Sequence, residues 1–456
     1  MHSSWLSVSR SESAKPETTA VTQHHPEIIP RSAHGISRAN ISPNALKVLY
    51  RLKAAGYQAC LVGGGVRDLL LGREPKDFDV ATDARPDEVR QLFRSCRLIG
   101  RRFRLAHVRF GREIIEVATF RAHHASAQDE EEGVTTEEGR ILRDNVYGTI
   151  EEDAWRRDFT VNALYYDIAD YSVLDYVGGM ADLEAGVLRL IGDPEARYRE
   201  DPVRMLRAAR FAAKLGFRIH PESLTPIHEL ADLLLEIAPA RLFDEVLKLF
   251  MGGEAVASYE LLRQLGLFAR LFPLTEAALA EEHDGFPKTL VTHALENTDT
   301  RIDQGKPVTP AFLFAALLWP PVSREAELRM ADGESWTQAL QAAAGRVLAA
   351  QQSHISVPRR FSLPMREIWL LQPRFEQRQG KRPLRLLAHP RFRAAYDFLL
   401  LRGQSGEVDA ELCQWWTDIQ EENPELVAQR LQTPARSGRR RRRGGRRRRP
   451  EEQGDG

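Results

Sequence analysis

The chain has 456 residues, 43% of them hydrophobic, with 64 Lys+Arg against 64 Asp+Glu; this excludes a wholly disordered protein and allows about three domains. The zero net charge is a sum of opposites, because Arg436–Gly456 holds ten Arg against three acids (+7) and the other 435 residues carry −7. No apolar run approaches the ~20 residues of a membrane span, residues 1–35 lack the apolar block of a secretory signal, and three scattered cysteines (Cys60, Cys96, Cys413) exclude a disulfide framework or zinc ribbon, so a cytoplasmic protein is expected.

Residues 1–41 mix Ser, His, Pro and Thr without periodicity and are read as a disordered lead. Order is expected from Ser42, an N-cap for a helix over 45–52 that stops at Gly56. Residues 59–62 read as a buried strand, Gly63-Gly64-Gly65 as a turn and 66–71 as a short helix. A strand over 78–81, a helix over 86–93 and strands over 98–99, 106–110 and 114–120 follow, then an acidic loop over 123–139. This alternation predicts a small α/β domain over about 46–180. From Pro194 the pattern is helical, with helices expected over 203–215, 238–250, 260–268, 311–318 and 336–350.

The chemistry concentrates in Gly63-Gly64-Gly65-Val66-Arg67-Asp68 and the following Asp77-Phe78-Asp79. A strand running through glycines into a helix presents backbone N–H groups to which a phosphate can come close. On a strand, Asp77 and Asp79 share one face, and two neighbouring carboxylates repel unless a cation lies between them. Mg²⁺ characteristically bridges carboxylates to phosphates, and such a site allows a two-metal displacement on a triphosphate. Two residues could supply a third carboxylate: Glu116, an acid within an apolar strand, and Asp158, beside Arg156 and Arg157.

The run Leu61–Gly72 with Asp77-x-Asp79 resembles the class II nucleotidyltransferases, the family of bacterial poly(A) polymerases and tRNA CCA-adding enzymes. The likeness continues through Arg156-Arg157-Asp158-Phe159-Thr160-x-Asn162-Ala163, Asp175-Tyr176-Val177-Gly178-Gly179 and Arg199-Glu200-Asp201-Pro202-x-Arg204-x-x-Arg207-x-x-Arg210-Phe211, over about residues 42–220. The resemblance implies an α+β fold: a polymerase-β-like head (42–180), a helical neck that recognises the base (181–255) and a helical body that binds RNA (256–425), between disordered termini (1–41 and 426–456). It implies Mg²⁺ on Asp77 and Asp79, with Asp158 as a third catalytic aspartate or as the residue orienting the ribose 2′-OH. It further implies Gly63, Gly64 and Arg67 on the triphosphate, Asp201 and Arg204 on the base, and Arg207 and Arg210 on triphosphate or RNA. A carboxylate that accepts and an arginine that donates suit adenine and cytosine and exclude guanine and uracil.

Two stretches bear on the substrate. Leu98-Ile99-Gly100-Arg101-Arg102-Phe103-Arg104-Leu105-Ala106-His107-Val108 resembles the segment that marks bacterial poly(A) polymerases and is absent from CCA-adding relatives, which implies RNA contacts at Arg101, Arg102 and Arg104; a basic surface hairpin is the plainer reading. The tail arginines Arg439, Arg440, Arg441, Arg442, Arg443, Arg446, Arg447, Arg448 and Arg449 form an electrostatic footprint for RNA without sequence preference. The expected activity is template-independent addition of AMP from ATP to RNA 3′ ends with release of pyrophosphate, promoting RNA decay, with RNA-decay proteins as partners. A CCA-adding enzyme and a non-catalytic RNA-binding scaffold are the alternatives. His283-Asp284 and His123-His124 are read as loop residues rather than metal ligands, and Trp415-Trp416 as helix packing rather than a base-stacking platform.

Overall fold

A computed structural model describes residues 25–100, 104–122, 146–280 and 289–421, with the main chain of 133–135 and 141–144. The chain forms two compact units, one of residues to Asp201 with Phe217–Pro226, the other of Pro202–Gly216 with the residues from Ile227 onward. The division therefore falls later than the head boundary expected at 180.

The first unit is built on an eight-stranded mixed sheet. Its edge strand β1 (Glu27–Ile29) comes from the stretch expected to be disordered; it is held by antiparallel pairing with a strand near residue 174. Helix α1 (Pro43–Ala54) starts where the sequence places it, the Ser42 hydroxyl accepting from the Asn44 and Ala45 amides, a cap of ~1 kcal/mol. Ala45, Val48, Leu49 and Leu52 form its buried stripe. There follow β2 (Ala59–Val62), α2 (Gly64–Leu70), β3 (Asp79–Thr82), α3 (Pro86–Leu92), β4 (Cys96–Ile99), β5 (Leu105–Phe110) and β6 (Glu113–Thr119). The hairpin β7 (Gly133–Thr135) and β8 (Ile141–Asp144) stands apart from the sheet, and α4 (Ile150–Trp155), β9 (Leu164–Asp167) and β10 (Val173–Asp175) complete the core.

The strand order is β1-β10-β9-β2-β3-β6-β5-β4, and β3–β6 is its one parallel pair. A parallel partner needs a crossover, here α3, β4 and β5, and it lays Glu116 directly beside Asp79. One face of the sheet carries Cys60, Val62, Ala81, Phe120 and Tyr165 packed on Ala154 of α4.

Beyond β10, the buried Asp175 carboxylate accepts from the amides of Val177, Gly179 and Met180, starting α5 (Gly179–Ala185), while Gly178 takes the left-handed φ of +78°. The Asp-x-x-Gly-Gly motif is thus a helix cap. After α6 (Pro194–Glu200) the second unit opens with α7 (Val203–Leu215), bounded as its sequence predicts. Helices continue to Glu421. The helix expected over 260–268 is two, Ala255–Gln264 and Leu267–Leu271, divided at Gly266 with φ +69°. Trp416 is fully buried, donates to the Phe375 carbonyl and meets the Phe375 ring edge-on, as the packing reading expects. Among the described residues no helix is long and apolar enough to cross a membrane.

Candidate active site

The site is one row of side chains across the head sheet. Pairing registers align Tyr165 with Val62, Val62 with Asp79, Asp79 with Glu116, and Glu116 with His107; cross-strand partners share a face. Gly63 ends β2 beside this row with φ +75° and ψ −141°, a conformation that excludes side chains, and caps α2. A Cβ on Gly63 would stand 3.7 Å from Arg157 Nη1 and 3.9 Å from Asp79 Oδ2, so the glycine faces the gap between the cation and the carboxylate. A Cβ on Gly65 would meet the Asp77 carbonyl at 3.3 Å, so glycine there lets the aspartate loop lie against the turn.

Asp79 opens β3 and is half-buried, whereas Asp77 lies two residues earlier, ahead of the strand, and is exposed. Phe78 between them is half-buried against Gly65 rather than in the core. Burial first, and then the charge of Glu116, push the Asp79 carboxyl up to about 6; Arg157 opposes them, and Asp77 adds a smaller push. Glu116 is therefore the carboxylate whose charge Asp79 feels most. It is not an acid trapped in an apolar strand, as its sequence context suggests. Its side chain is 48% exposed, and its Oε1 lies 3.1 Å from His107 Nε2.

Asp158 is tied to the α2 turn through Asn162 and Arg67. Its Oδ1 accepts from the Phe159 amide (2.8 Å) and from Asn162 Nδ2 (3.3 Å), and Asn162 Oδ1 accepts from Arg67 Nη1 at 2.5 Å. Arg67 is 1% exposed, with Nε and Nη2 donating to Asp68. Arg67 thereby supports the turn from beneath, with Nη2 3.4 Å from where a Gly64 Cβ would be.

Arg157, quoted in the sequence analysis only as a neighbour of Asp158, is the functional candidate that the sequence reading missed. It pairs instead with Asp153 four residues earlier, Nε and Nη2 donating at 3.1 and 2.9 Å, and with the Tyr165 hydroxyl at 2.8 Å. Tyr165 in turn donates to Asp153. Burial opposes the charge on Arg157, but Tyr165 and Asp153 more than offset it and hold its pKa above the ordinary value. The i, i+4 spacing of Asp153 and Arg157 was the available signal.

Residues 59–189 match the family model for the poly A polymerase head domain, 216–279 a probable RNA- and SrmB-binding site of polymerase A, and 332–450 the polymerase A arginine-rich C-terminus. Poly(A) polymerase I of Salmonella typhimurium is 54% identical over 422 residues, 91% of this chain and 90% of its own. The chain belongs to the bacterial poly(A) polymerase I family. The CCA-adding enzyme of Bacillus subtilis is 38% identical over 227 residues, only 50% of this chain and 55% of its own. A solved CCA-adding enzyme in complex with ATP shares the fold, with a TM-score of 0.57 and 19% identity, over 87% of this chain and 89% of that one.

Within this family frame, the donor set fits Mg²⁺. Asp79, Glu116 and Asp77 repel one another, as the raised Asp79 carboxyl records, and a hard cation relieves that repulsion. Among the described residues no group of three or more His, Cys, Asp or Glu is placed to hold a metal ion by itself. An open site of one or two carboxylates, completed by substrate phosphates, is how Mg²⁺ is usually held.

The remaining site residues are placed as follows. Asp201 is half-buried at the C-cap of α6; Arg204 is buried in the first turn of α7, and Arg207 and Arg210 are half-buried with their guanidinium groups over Phe211 at 5.3 and 4.3 Å. Arg104 is exposed, 3.8 Å from Asp87. Arg101, Arg102, the tail arginines and the pairs His123-His124 and His283-Asp284 lie outside the described residues.

Gly63→Ala tests the turn. The strained backbone costs about 1–3 kcal/mol, and the added methyl enters the gap between Arg157 and Asp79. ATP affinity measured by calorimetry is expected to fall at least ~10-fold, the equivalent of one lost hydrogen bond to a charged group. Gly56→Ala is the control: Gly56 has φ +89° with nothing within 4 Å of its Cβ position, so it carries backbone strain but should leave ATP affinity unchanged.

Proposed function

We infer that the chain is a template-independent polynucleotide adenylyltransferase, transferring AMP from ATP to RNA 3′ ends with release of pyrophosphate. The observation that carries this is the juxtaposition of the Gly63 turn with Asp79, Glu116 and Arg157 on one sheet face, in a chain 54% identical to a named poly(A) polymerase I across nine-tenths of both lengths.

In this reading Asp77 and Asp79 hold Mg²⁺, with Glu116 adding negative charge beside Asp79. The metal, when bound, supplies charge stabilisation and an acidified RNA 3′-hydroxyl. Gly63 and Gly64 let the triphosphate approach the main chain, and Arg157 Nη1 offers it a cation. Arg67 holds the turn and, through Asn162, fixes Asp158, which completes the carboxylate set or orients the ribose. Asp201 and Arg204 read the adenine edge, and Arg207 and Arg210 engage triphosphate or RNA. Arg101, Arg102, Arg104 and the tail arginines act as a sequence-tolerant tether for RNA phosphates, and RNA-decay proteins are the proposed consumers of the tailed product.

The deciding experiment incubates the protein with a non-tRNA oligoribonucleotide, Mg²⁺ and each NTP separately. Long ladders with ATP alone are expected. Extension that stops after C-C-A and occurs on tRNA only would replace this reading by the CCA-adding one, and absence of pyrophosphate release with any RNA would leave a binding protein.

A further inference from the structure

A second cleft lies wholly within the helical unit, between the last turn of the helix Trp336–Gln351, the connector that follows it and the first turns of the helix Arg359–Phe375. We propose that this cleft is a ribonucleotide subsite for the RNA strand, Arg359 and Arg366 taking a phosphate and Gln351 accepting from a ribose 2′-hydroxyl. It rests on the adenylyltransferase reading only in taking RNA as the polymer.

Gln351 forms the floor. It is 1% exposed, and its Nε2 donates to the Leu271 carbonyl at 2.7 Å. A carbonyl partner can only accept, so the amide cannot be flipped and Oε1 is fixed on the other side. That Oε1 is buried with no hydrogen-bond partner among the described residues. An orphaned buried acceptor is costly and calls for a donor.

The wall supplies positive charge without a counter-charge. Arg359 and Arg366 are seven residues apart, two turns along one helix face, and both line the cleft. Neither has a carboxylate partner among the described residues, and the buried Arg366 Nε has no hydrogen-bond partner either. The uncapped N-terminus of this 17-residue helix adds its dipole and amides at Arg359.

The cleft volume is about 280 Å³, and its rim carries Leu363, which is 53% exposed although apolar. Anion receptor, buried acceptor and apolar rim in one small space match a single ribose-phosphate unit: phosphate for the arginines, 2′-hydroxyl for Gln351, sugar or base face for Leu363. An acidic peptide would satisfy the arginines but bring no hydroxyl fixed relative to its anion. The 2′-hydroxyl is also what separates RNA from DNA at a given site.

The test uses the full chain and labelled oligo(A) RNA, beside oligo(dA) of the same length, from 50 to 200 mM salt. Arg359→Gln/Arg366→Gln should weaken RNA binding ~10-fold and reduce the magnitude of the log–log salt slope by about 0.7, the contribution of one phosphate on a single strand. The KM for RNA should rise while that for ATP holds. Gln351→Met should lower the RNA-over-DNA preference several-fold and leave the salt slope alone. Unchanged affinity and slope in the arginine variant would overturn the subsite, and equal loss of RNA and DNA binding in Gln351→Met would overturn the 2′-hydroxyl contact. Should Gln351→Met fail to fold, Arg366→Lys decides: a point charge in place of the fork should keep the slope and lose affinity, and wild-type behaviour in both would count against the site. Wild-type AMP incorporation is measured alongside. Its absence would sink the adenylyltransferase reading, whereas intact incorporation with unaltered variant binding sinks the subsite alone.

Discussion

Asp79→Asn is expected to lower AMP incorporation by ~10³-fold or more, the scale of losing a charge-stabilising group at a reacting centre, and at the same time to make the metal-free protein more stable. The second half follows from the site's own repulsion. The Asp79 carboxyl has its pKa raised from 3.8 to about 6 by burial and by Glu116. A carboxyl raised in the folded state contributes stability that is fully present below pH ~4 and is lost as pH rises through about 6. At neutral pH the ionised wild type is therefore less stable than its asparagine variant by on the order of 2 kcal/mol, and near pH 4 the two converge. Mg²⁺ must displace the same proton, so its apparent affinity should fall ~10-fold per unit below pH 6 in the wild type. Thermal melts in chelator at pH 4 and pH 7.5, with Mg²⁺ titrations, check each part. Substantial residual activity with unaltered Mg²⁺ dependence, or a lower melting temperature at pH 7.5, would remove Asp79 from the metal site.

Local signals carried far along this chain, and they failed where distant partners decide. Ser42 and the α7 stripe needed only their own neighbours, so both boundaries were readable. The strand Glu27–Ile29 has three residues in a polar stretch, and only its pairing with Val173–Asp175 makes it a strand. β9 is equally hidden: Leu164, Tyr165 and Tyr166 are all buried, so no alternation marks them. For Glu116 the misleading neighbour is Ile114, 42% exposed; an apolar residue on the solvent face erased the in–out pattern that Ile115 and Val117 otherwise obey. The Gly63 turn and Asp79 were legible because their chemistry sits in short contiguous motifs. The roles of Arg67 and Arg157 were not, since a guanidinium points at a substrate or into the protein according to partners 95 and 8 residues away. His107 gained a physical position, against Glu116 in the row that contains Asp79.

Arg157→Gln separates the scaffold from the site. Asp153 is 6% exposed and Tyr165 fully buried; Asp153 Oδ2 and the Tyr165 hydroxyl meet Arg157 and each other, while Asp153 Oδ1 accepts from the Arg121 amide. Removing the cation takes the ion-pair partner from the buried Asp153 carboxylate, though the Arg121 charge still acts beside it, and breaking a buried pair costs about 3–5 kcal/mol. The same substitution removes the one cation among the charges acting on Asp79, so its carboxyl should rise above 6 and the acid limb of the pH–activity profile should move to higher pH. The double variant Asp153→Asn/Arg157→Gln divides these effects. With both members of the pair neutral, it should recover part of the lost stability, a coupling that a double-mutant cycle reads directly. The displaced acid limb should persist, because neither new side chain restores a cation beside Gly63 and Asp79. If the double variant regains both stability and the wild-type pH profile, Arg157 serves only as a buttress for α4 and β9, and the triphosphate contact proposed for it falls.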